Sequence, residues 1–283
     1  MTIASSSLPP APRRPVALSI AGSDSGGGAG IQADLRAFGH FQVHGTTVIT
    51  AVTAQNPGAV SQVQGISPEM VLAQLDAVFS AFSVGAIKTG MLFNAEIVAA
   101  VAGRLGNRSR LPLVVDPVMV ATSGARLLRD DAGEALLEKL LPLATIITPN
   151  LPEAEILLGR GLAGLEEAAV AAHELACRYQ ATVIVKGGHR EGEMMIDAVS
   201  DGRQAWRISA PRLAVPSTHG TGCSLSAAMA AQLALGQTPL AAILAARGYV
   251  QSSLAACVQV GDATWSMAAP DSRDNPGIVC EPW

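Results

Sequence analysis

The sequence is poor in charged and aromatic residues. Of its 283 residues, 15% are charged, 4% are aromatic and 49% are hydrophobic, whereas about 25% are charged in a typical soluble domain. A chain this apolar buries enough surface to offset the entropy cost of folding, which excludes a disordered protein. Its net charge of −4 lacks the basic excess of nucleic-acid-binding proteins, so we expect no nucleic-acid partner.

The sequence also lacks a convincing membrane or secretion segment, although its mean hydropathy is +0.34. The uncharged stretch 223–246 is long enough to span a bilayer, but Gly236-Gln-Thr-Pro239 interrupts it with a helix stop and a new start. We therefore expect two buried helices there and no membrane partner. Residues 1–15 contain four prolines and no apolar signal-peptide core, which predicts a disordered lead-in.

Cysteines are few and are not spaced for a disulfide framework or a zinc site. The four do not form a C-x-x-C pair, which favours a reducing, cytoplasmic location. Cys177 and Cys257 fall on alanine-rich helical patterns, where an inert packed thiol is the simplest interpretation.

Short apolar runs alternate with helical patterns along the rest of the chain. The runs are four to eight residues long and rich in β-branched types, as expected of strands buried on both faces; they are 16–21, 46–52, 84–87, 113–116, 144–147 and 182–185. Ser67-Pro68-Glu69 supplies an N-cap and an acidic first turn to one intervening helix. The alternation predicts an α/β fold with a mostly parallel sheet between two helical layers. We expect one domain at 16–265, followed by a C-terminal segment at 266–283.

Polar or glycine-rich segments follow all six predicted strands. They are 22–30, 55–56, 88–91, 116–119, 148–153 and 186–189. Because the carboxyl ends of parallel strands meet at one edge, where such sheets bind ligands, these segments predict a single functional rim. Two of the chain's three lysines, Lys88 and Lys186, are expected on it.

A second glycine-rich segment, Pro216 to Cys223, precedes a helix predicted to begin near Ser224. Gly220 and Gly222 would let backbone N–H groups turn inward, and the helix N-terminus would favour an oxyanion or phosphate. A plain glycine turn is the competing interpretation. Cys223 favours a functional loop, because the first turn of a helix lowers the pKa of a thiol and makes a thiolate accessible near neutral pH.

The sequence lacks both a Walker A motif and a Rossmann glycine fingerprint, but it has other parts of a phosphoryl-transfer site. Asp116 and Glu153 follow neighbouring strands and could hold a hydrated Mg²⁺, although Glu153 could equally be a helix-capping acid. Lys186 ends an apolar strand, where a bare ammonium group needs an anion. The residues alone therefore indicate an α/β phosphotransferase without naming its substrate.

These segments resemble the hydroxymethylpyrimidine/phosphomethylpyrimidine kinases of thiamine biosynthesis, a family of the ribokinase-like superfamily. The matching motifs are Ala17 to Leu35, Thr53 to Asn56, Lys88 to Met91, Asp116 to Met119, Thr148 to Ala154, Val185 to His189 and Thr218 to Cys223. The resemblance does not extend to the glycine-rich segment with which family members usually close, so we expect a divergent tail at 266–283. It implies a three-layer αβα ribokinase-like fold. It also implies a homodimeric enzyme that uses ATP and Mg²⁺ to phosphorylate 4-amino-5-hydroxymethyl-2-methylpyrimidine and then its monophosphate.

The resemblance further assigns roles to individual residues. Gln55 would recognise the aminopyrimidine edge, Met91 and Val118 would pack against the ring, and Gly22 would lie beside the substrate. Asp34 is either a substrate contact or a plain helix-face acid. The anion hole would comprise Gly220, Thr221, Gly222 and the Cys223 backbone, the Cys223 side chain would be the base, Lys186, Thr218, Thr221 and Asn150 would contact the nucleotide, and Asp116 and Glu153 would act through Mg²⁺.

Two alternatives stay open at this point. A pyridoxal or pyridoxine kinase of the same superfamily would share the glycine loop and the anion hole, but the relatives considered carry Met where this chain has Gln55. A non-catalytic pyrimidine-binding protein would share the fold, but loss of Cys223, Lys186 or Glu153 would be expected of it. All three residues are present.

Overall fold

The computed structural model describes residues 13–108, 111–119, 132–188, 192–270 and 277–283. Most of the predicted lead-in, residues 1–12, lies outside this set, as do His189 and residues 271–276. The strands in the described residues are β1 (Val16–Asp24), β2 (His44–Asn56), β3 (Ala59–Gly65), β4 (Val84–Thr89), β5 (Leu113–Val115), β6 (Ile146–Ile147), β7 (Thr182–Val185), β8 (Met194–Ser200), β9 (Ala205–Pro211), β10 (Val258–Gly261), β11 (Thr264–Ser266) and β12 (Val279–Pro282).

The helices also follow the sequence signals. Ser67 caps the second of them by accepting a hydrogen bond from the Met70 N–H, and the Gly236 to Pro239 break separates the last two. They are α1 (Gly30–His40), α2 (Pro68–Ala81), α3 (Ala95–Gly106), α4 (Ala132–Ala135, continued by a π-helical and a 3₁₀ turn to Leu143), α5 (Leu151–Leu158), α6 (Leu165–Tyr179), α7 (Thr221–Ala234) and α8 (Pro239–Ala255). Within the part of the chain that the structure describes, every helix is too short or too polar to cross a bilayer.

One ten-stranded sheet organises the fold, in the order β12-β9-β8-β7-β6-β5-β4-β1-β2-β3. Its middle strands, β7-β6-β5-β4-β1-β2, are parallel neighbours and correspond to the six predicted strands. The strands outside them, β3 on one side and β8, β9 and β12 on the other, pair antiparallel. The prediction of a mostly parallel central sheet is confirmed.

Helices cover both faces of this sheet. Along β5 the side chains alternate, with Leu113 and Val115 in one apolar cluster and Val114 in the other. The first cluster includes residues of α2 to α6, and the second includes residues of α1, α7 and α8. Burial on both faces explains why these strands read as continuous apolar runs and confirms the three layers.

The C-terminal segment contributes to the central sheet. Val279–Pro282 forms β12 and pairs with β9 in antiparallel register, and the indole Nε1–H of Trp283 donates to Glu166 Oε2 at 3.2 Å. Part of the segment predicted as a divergent tail therefore forms the outer strand of the sheet.

Candidate active site

The carboxyl ends of the parallel strands open into a cavity of about 430 Å³. Most of the residues predicted for the site line it. They are Gln55, Asp116, Val118, Asn150, Glu153, Lys186, Thr218, Gly220, Thr221, Gly222 and Cys223. The topology thus brings together segments that are more than 150 positions apart in the sequence.

The N-terminus of α7 forms one wall of this cavity. Gly220 caps the helix in a left-handed conformation with φ of +82°, and a Cβ atom there would lie 1.9 Å from the Gly28 carbonyl oxygen. Only glycine fits. The helix starts at Thr221 rather than near Ser224, so Gly222 and Cys223 belong to its first turn, whose N–H groups have no helical acceptor and can bind an oxyanion.

The Cys223 thiol is half-buried at this helix end. Burial raises its pKa to about 11; the nearby Lys88 charge opposes the rise, and the carboxylates of Asp34 and Asp116 add to it. The sequence-based prediction of a lowered thiol pKa is therefore wrong. Loss of solvent around the sulfur outweighs the Lys88 charge and the Gly30 backbone hydrogen bond, both of which lower the pKa.

Lys186 and two carboxylates belong to the same wall as this helix end, since a Cβ atom at Gly222 would lie 3.6 Å from Lys186 Nζ and 3.8 Å from Asp116 Oδ2. Lys186 Nζ lies 3.2 Å from Asp116 Oδ1 and 4.0 Å from Glu153 Oε2. Asp116 also accepts hydrogen bonds from Thr148 Oγ1 at 3.1 Å and Ser226 Oγ at 3.2 Å. Although burial opposes it, the two carboxylates raise the pKa of Lys186, so this ammonium group stays charged.

Glu153 has the capping role that the sequence left open. Its Oε2 accepts from the Asn150 N–H at 2.8 Å, and its own N–H donates to Asn150 Oδ1 at 2.9 Å, a complete capping box at the start of α5. Burial raises the pKa of Glu153 to about 7; Lys186 lowers it and Asp116 raises it. The carboxyl group nonetheless lines the cavity, so capping does not exclude a second role.

The donor set at this wall fits a magnesium ion shared with a phosphorylated ligand. Among the described residues, no group of three or more His, Cys, Asp or Glu side chains converges, so these residues do not form a complete metal cage. Mg²⁺ is commonly held by one or two carboxylates together with phosphate oxygens and water. Asp116 and Glu153 supply two carboxylates, and Lys186 lies within 4.0 Å of both.

Three predicted substrate contacts, Asp34, Gly22 and Met91, do not line the cavity. Asp34 and Lys88 are fully buried and ion-paired, with Lys88 Nζ 2.8 Å from Asp34 Oδ2 and Ser19 Oγ 2.5 Å from the same oxygen. Asp34 is therefore neither a substrate contact nor a plain helix-face acid. Lys88 is not an exposed rim residue either, because β4 runs two residues further than predicted. Gly22 and Met91 are buried against each other, and a Cβ at Gly22 would clash with Met91 Cε.

The structure adds a contact that sequence reasoning missed, between the first glycine loop and the α7 loop. His219 Nε2 lies 3.1 Å from Asp24 Oδ2, and the Asp24 carboxylate also accepts from the Gly26 and Ala29 N–H groups at 2.8 Å. Although burial opposes it, the His219 hydrogen bond and the two backbone bonds hold the pKa of Asp24 below its usual value. An acid inside a glycine loop was the only local signal.

A second missed residue is Arg247 of α8, which lines the cavity. It is ion-paired with Asp197 of β8, and Asp197 Oδ1 accepts from the Gly187 N–H at 2.9 Å. The pair therefore buttresses the segment after Lys186. The sequence offered no signal for it because β8 was not predicted.

Comparison with known proteins identifies relatives over most of the chain. Residues 24–268 match the family profile described as Phosphomethylpyrimidine kinase. A hydroxymethylpyrimidine/phosphomethylpyrimidine kinase from Rhizobium meliloti (strain 1021) is 51% identical over 245 residues, covering 85% of this chain and 91% of the relative.

Solved structures share the fold as well. The ADP complex of a pyridoxal kinase from Bacillus subtilis superposes with a TM-score of 0.84 at 35% identity, covering 91% of this chain and 98% of the other. A phosphomethylpyrimidine kinase from Clostridium difficile superposes with a TM-score of 0.74 at 37% identity, covering 83% and 97%. Both structures support a ribokinase-like fold. One is named a pyridoxal kinase and the other a phosphomethylpyrimidine kinase, which are the two enzyme classes that the sequence left open.

Proposed function

The chain belongs to the phosphomethylpyrimidine kinase family, and we propose that its cavity transfers the γ-phosphoryl group of ATP to 4-amino-5-hydroxymethyl-2-methylpyrimidine and then to the resulting monophosphate. One observation carries the proposal. The same cavity has a carboxamide, Gln55, at the acceptor side and a helix N-terminus with Lys186 at the phosphate side.

The acceptor side recognises the pyrimidine ring by hydrogen bonding. A carboxamide has one acceptor and two donors, which complement an exocyclic amino group beside a ring nitrogen. Gln55 supplies this edge, and Val118 is a half-buried apolar side chain that lines the same cavity. Gly22 and Met91 are buried against each other and do not line the cavity, so their proposed influence on the substrate is indirect.

The phosphate side stabilises charge. The N–H groups of Gly222 and Cys223 and the Lys186 ammonium group are preorganised before the substrates arrive, and such donors carry most of the catalysis in phosphoryl transfer. Thr218, Thr221 and Asn150 line the cavity around them and are the proposed nucleotide contacts. Cys223, in its thiolate form, is the proposed acceptor of the substrate hydroxyl proton.

Asp116 and Glu153 are the proposed holders of Mg²⁺. When bound, the ion neutralises charge on the transferring phosphates. Lys186 Nζ lies near both carboxylates, 3.2 Å from Asp116 Oδ1 and 4.0 Å from Glu153 Oε2. Replacing either carboxylate should therefore change the magnesium concentration needed for half-maximal activity.

We place the enzyme in the cytoplasm and propose that it is a homodimer. All four cysteines lie within the described residues and are free thiols, which suits a reducing compartment. The family resemblance favours a dimer, and the outer hairpin of β2 and β3 exposes the apolar side chain of Val52. Sedimentation equilibrium tests the dimer directly.

Gln55 distinguishes the proposed substrate from pyridoxal. We expect Gln55→Met to lower kcat/KM for the aminopyrimidine alcohol by about 10- to 100-fold, because roughly two hydrogen bonds are lost. Turnover of pyridoxal should not fall. Coupled detection of ADP release measures kcat/KM for the aminopyrimidine alcohol and the turnover of pyridoxal.

The matched control is Gln64→Met, since Gln64 is exposed on β3 and does not line the cavity. This control variant should turn over the aminopyrimidine alcohol and pyridoxal at the same rates as the wild type. Wild-type enzyme that consumes ATP faster with pyridoxal than with the aminopyrimidine alcohol would show that the substrate assignment is wrong.

A further inference from the structure

The hydroxyl group of Thr53 faces two acceptor atoms. Thr53 Oγ1 lies 2.9 Å from the Ser23 carbonyl oxygen and 3.3 Å from Gln55 Oε1. A hydroxyl group has one hydrogen to donate and two lone pairs that accept. It therefore cannot donate fully to both oxygens.

The two contacts can be satisfied together in one way. The Ser23 carbonyl oxygen can only accept, and its distance is that of an ordinary hydrogen bond, so it receives the hydroxyl hydrogen. The carboxamide of Gln55 can turn end for end, because its oxygen and nitrogen are nearly isosteric. Nε2 then donates to Thr53, and Oε1 becomes the carboxamide atom that Thr53 does not engage.

The backbone of Gln55 is held separately. Ser25 Oγ donates to the Gln55 carbonyl oxygen and accepts from the Gln55 N–H, both at 2.8 Å. The β2–β3 register also shifts between Ala54 and Gln55, and such bulges redirect side chains beside active sites. With the backbone fixed, the Thr53 contact decides which end of the carboxamide faces the ligand.

We propose that Thr53 is a positioning residue that sets the orientation of the Gln55 carboxamide and thereby the choice between an aminopyrimidine and a pyridoxal-like ring. The proposal rests on the proposed function, in which Gln55 contacts the substrate. In this orientation Oε1 accepts from the exocyclic amino group, and the second Nε2 hydrogen goes to the ring nitrogen. Pyridoxal has a formyl oxygen in place of the amino group, so two acceptors would face each other, which disfavours it.

Thr53→Val tests this orientation, because valine keeps the shape and removes the hydroxyl group. We expect the Kd of the aminopyrimidine alcohol to rise about five- to tenfold, as for one lost hydrogen bond, with little change in kcat at saturation. The Kd of pyridoxal should stay the same or fall. Thr53→Ser keeps the hydroxyl group and should resemble the wild type; calorimetry gives each Kd.

A double-mutant cycle separates positioning from general damage. In the Gln55→Met background, Thr53→Val should cause no further loss of aminopyrimidine binding. An equal additional loss there, or an equal loss for both ligands in the single variant, would overturn the proposal, as would unchanged aminopyrimidine binding. If Thr53→Val does not fold, as judged by its thermal melt, Thr53→Ala takes its place in the same cycle.

The failure of this proposal is distinguishable from failure of the proposed function. The function fails on the wild-type protein alone, if it does not phosphorylate the aminopyrimidine alcohol. The Thr53 proposal fails on the variants, while the wild type remains active.

Discussion

Replacing Cys223 with alanine is expected to lower kcat by about 10²–10⁴-fold, the usual contribution of a general base, while aminopyrimidine binding stays near normal. The thiol lines the cavity at the first turn of α7, but the binding edge is supplied by Gln55. A pH profile adds a second readout. Because burial raises the thiol pKa to about 11, the thiolate fraction grows with pH across the neutral range, so wild-type turnover should rise with pH and the variant should lose that rise.

Cys177→Ala is the matched control for this substitution. Cys177 is exposed on α6 and does not line the cavity, so its loss should leave turnover unchanged. A Cys223→Ala variant with near-normal turnover would contradict the base assignment. The contribution of position 223 would then be its backbone N–H in the anion hole.

The largest stability effect is expected at the buried pair of Lys88 and Asp34. Both side chains are fully buried, and Lys88 Nζ lies 2.9 Å and 2.8 Å from the two Asp34 oxygens. Lys88→Met leaves the Asp34 charge without its partner in a dry site, which typically costs about 3–5 kcal/mol of unfolding free energy. Urea denaturation of both proteins measures the difference.

Two further variants make this prediction specific. Arg160→Met removes one member of an exposed pair with Glu174 and should cost less than about 1 kcal/mol. The double variant Lys88→Met/Asp34→Leu removes both buried charges and should recover part of the lost stability. A Lys88→Met variant as stable as Arg160→Met would contradict the account of this pair.

The pair also connects the core to the site. Lys88 is on β4 and Asp34 is on α1, which begins at Gly30 directly after the first glycine loop. The ion pair therefore fixes α1 on the sheet, and α1 in turn holds the loop, since Arg36 donates to the Gly27 carbonyl oxygen at 2.5 Å. Lys88, which the sequence placed on the functional rim, therefore supports the glycine loop indirectly, through α1.

The parallel core could be predicted because its sequence signal is local. Strands buried on both faces are short apolar runs, and all six were recognisable. The outer strands were not, since each mixes polar and apolar residues; β8 contains Asp197, which is tolerated in the core because Arg247 of α8 pairs with it. That partner lies 50 positions away, beyond the reach of any local pattern.

The candidate site shows the same boundary between local and tertiary information. Motif positions such as Gln55, Asp116 and Lys186 could be placed on one rim, because strand ends converge in a parallel sheet. The pKa of Cys223 could not be predicted from the sequence. A helix N-terminus is a local feature, whereas the burial of the thiol depends on the surrounding layers. Asp24 and His219, 195 positions apart, meet only because two loops close on each other.

The most direct test of the central claim is mass spectrometry of the products formed with Mg·ATP from the aminopyrimidine alcohol, its monophosphate and pyridoxal in parallel. We predict that the alcohol yields the monophosphate, that the monophosphate yields the diphosphate, and that both pyrimidines react faster than pyridoxal. An absence of phosphorylated pyrimidine, or faster phosphorylation of pyridoxal, would contradict the account.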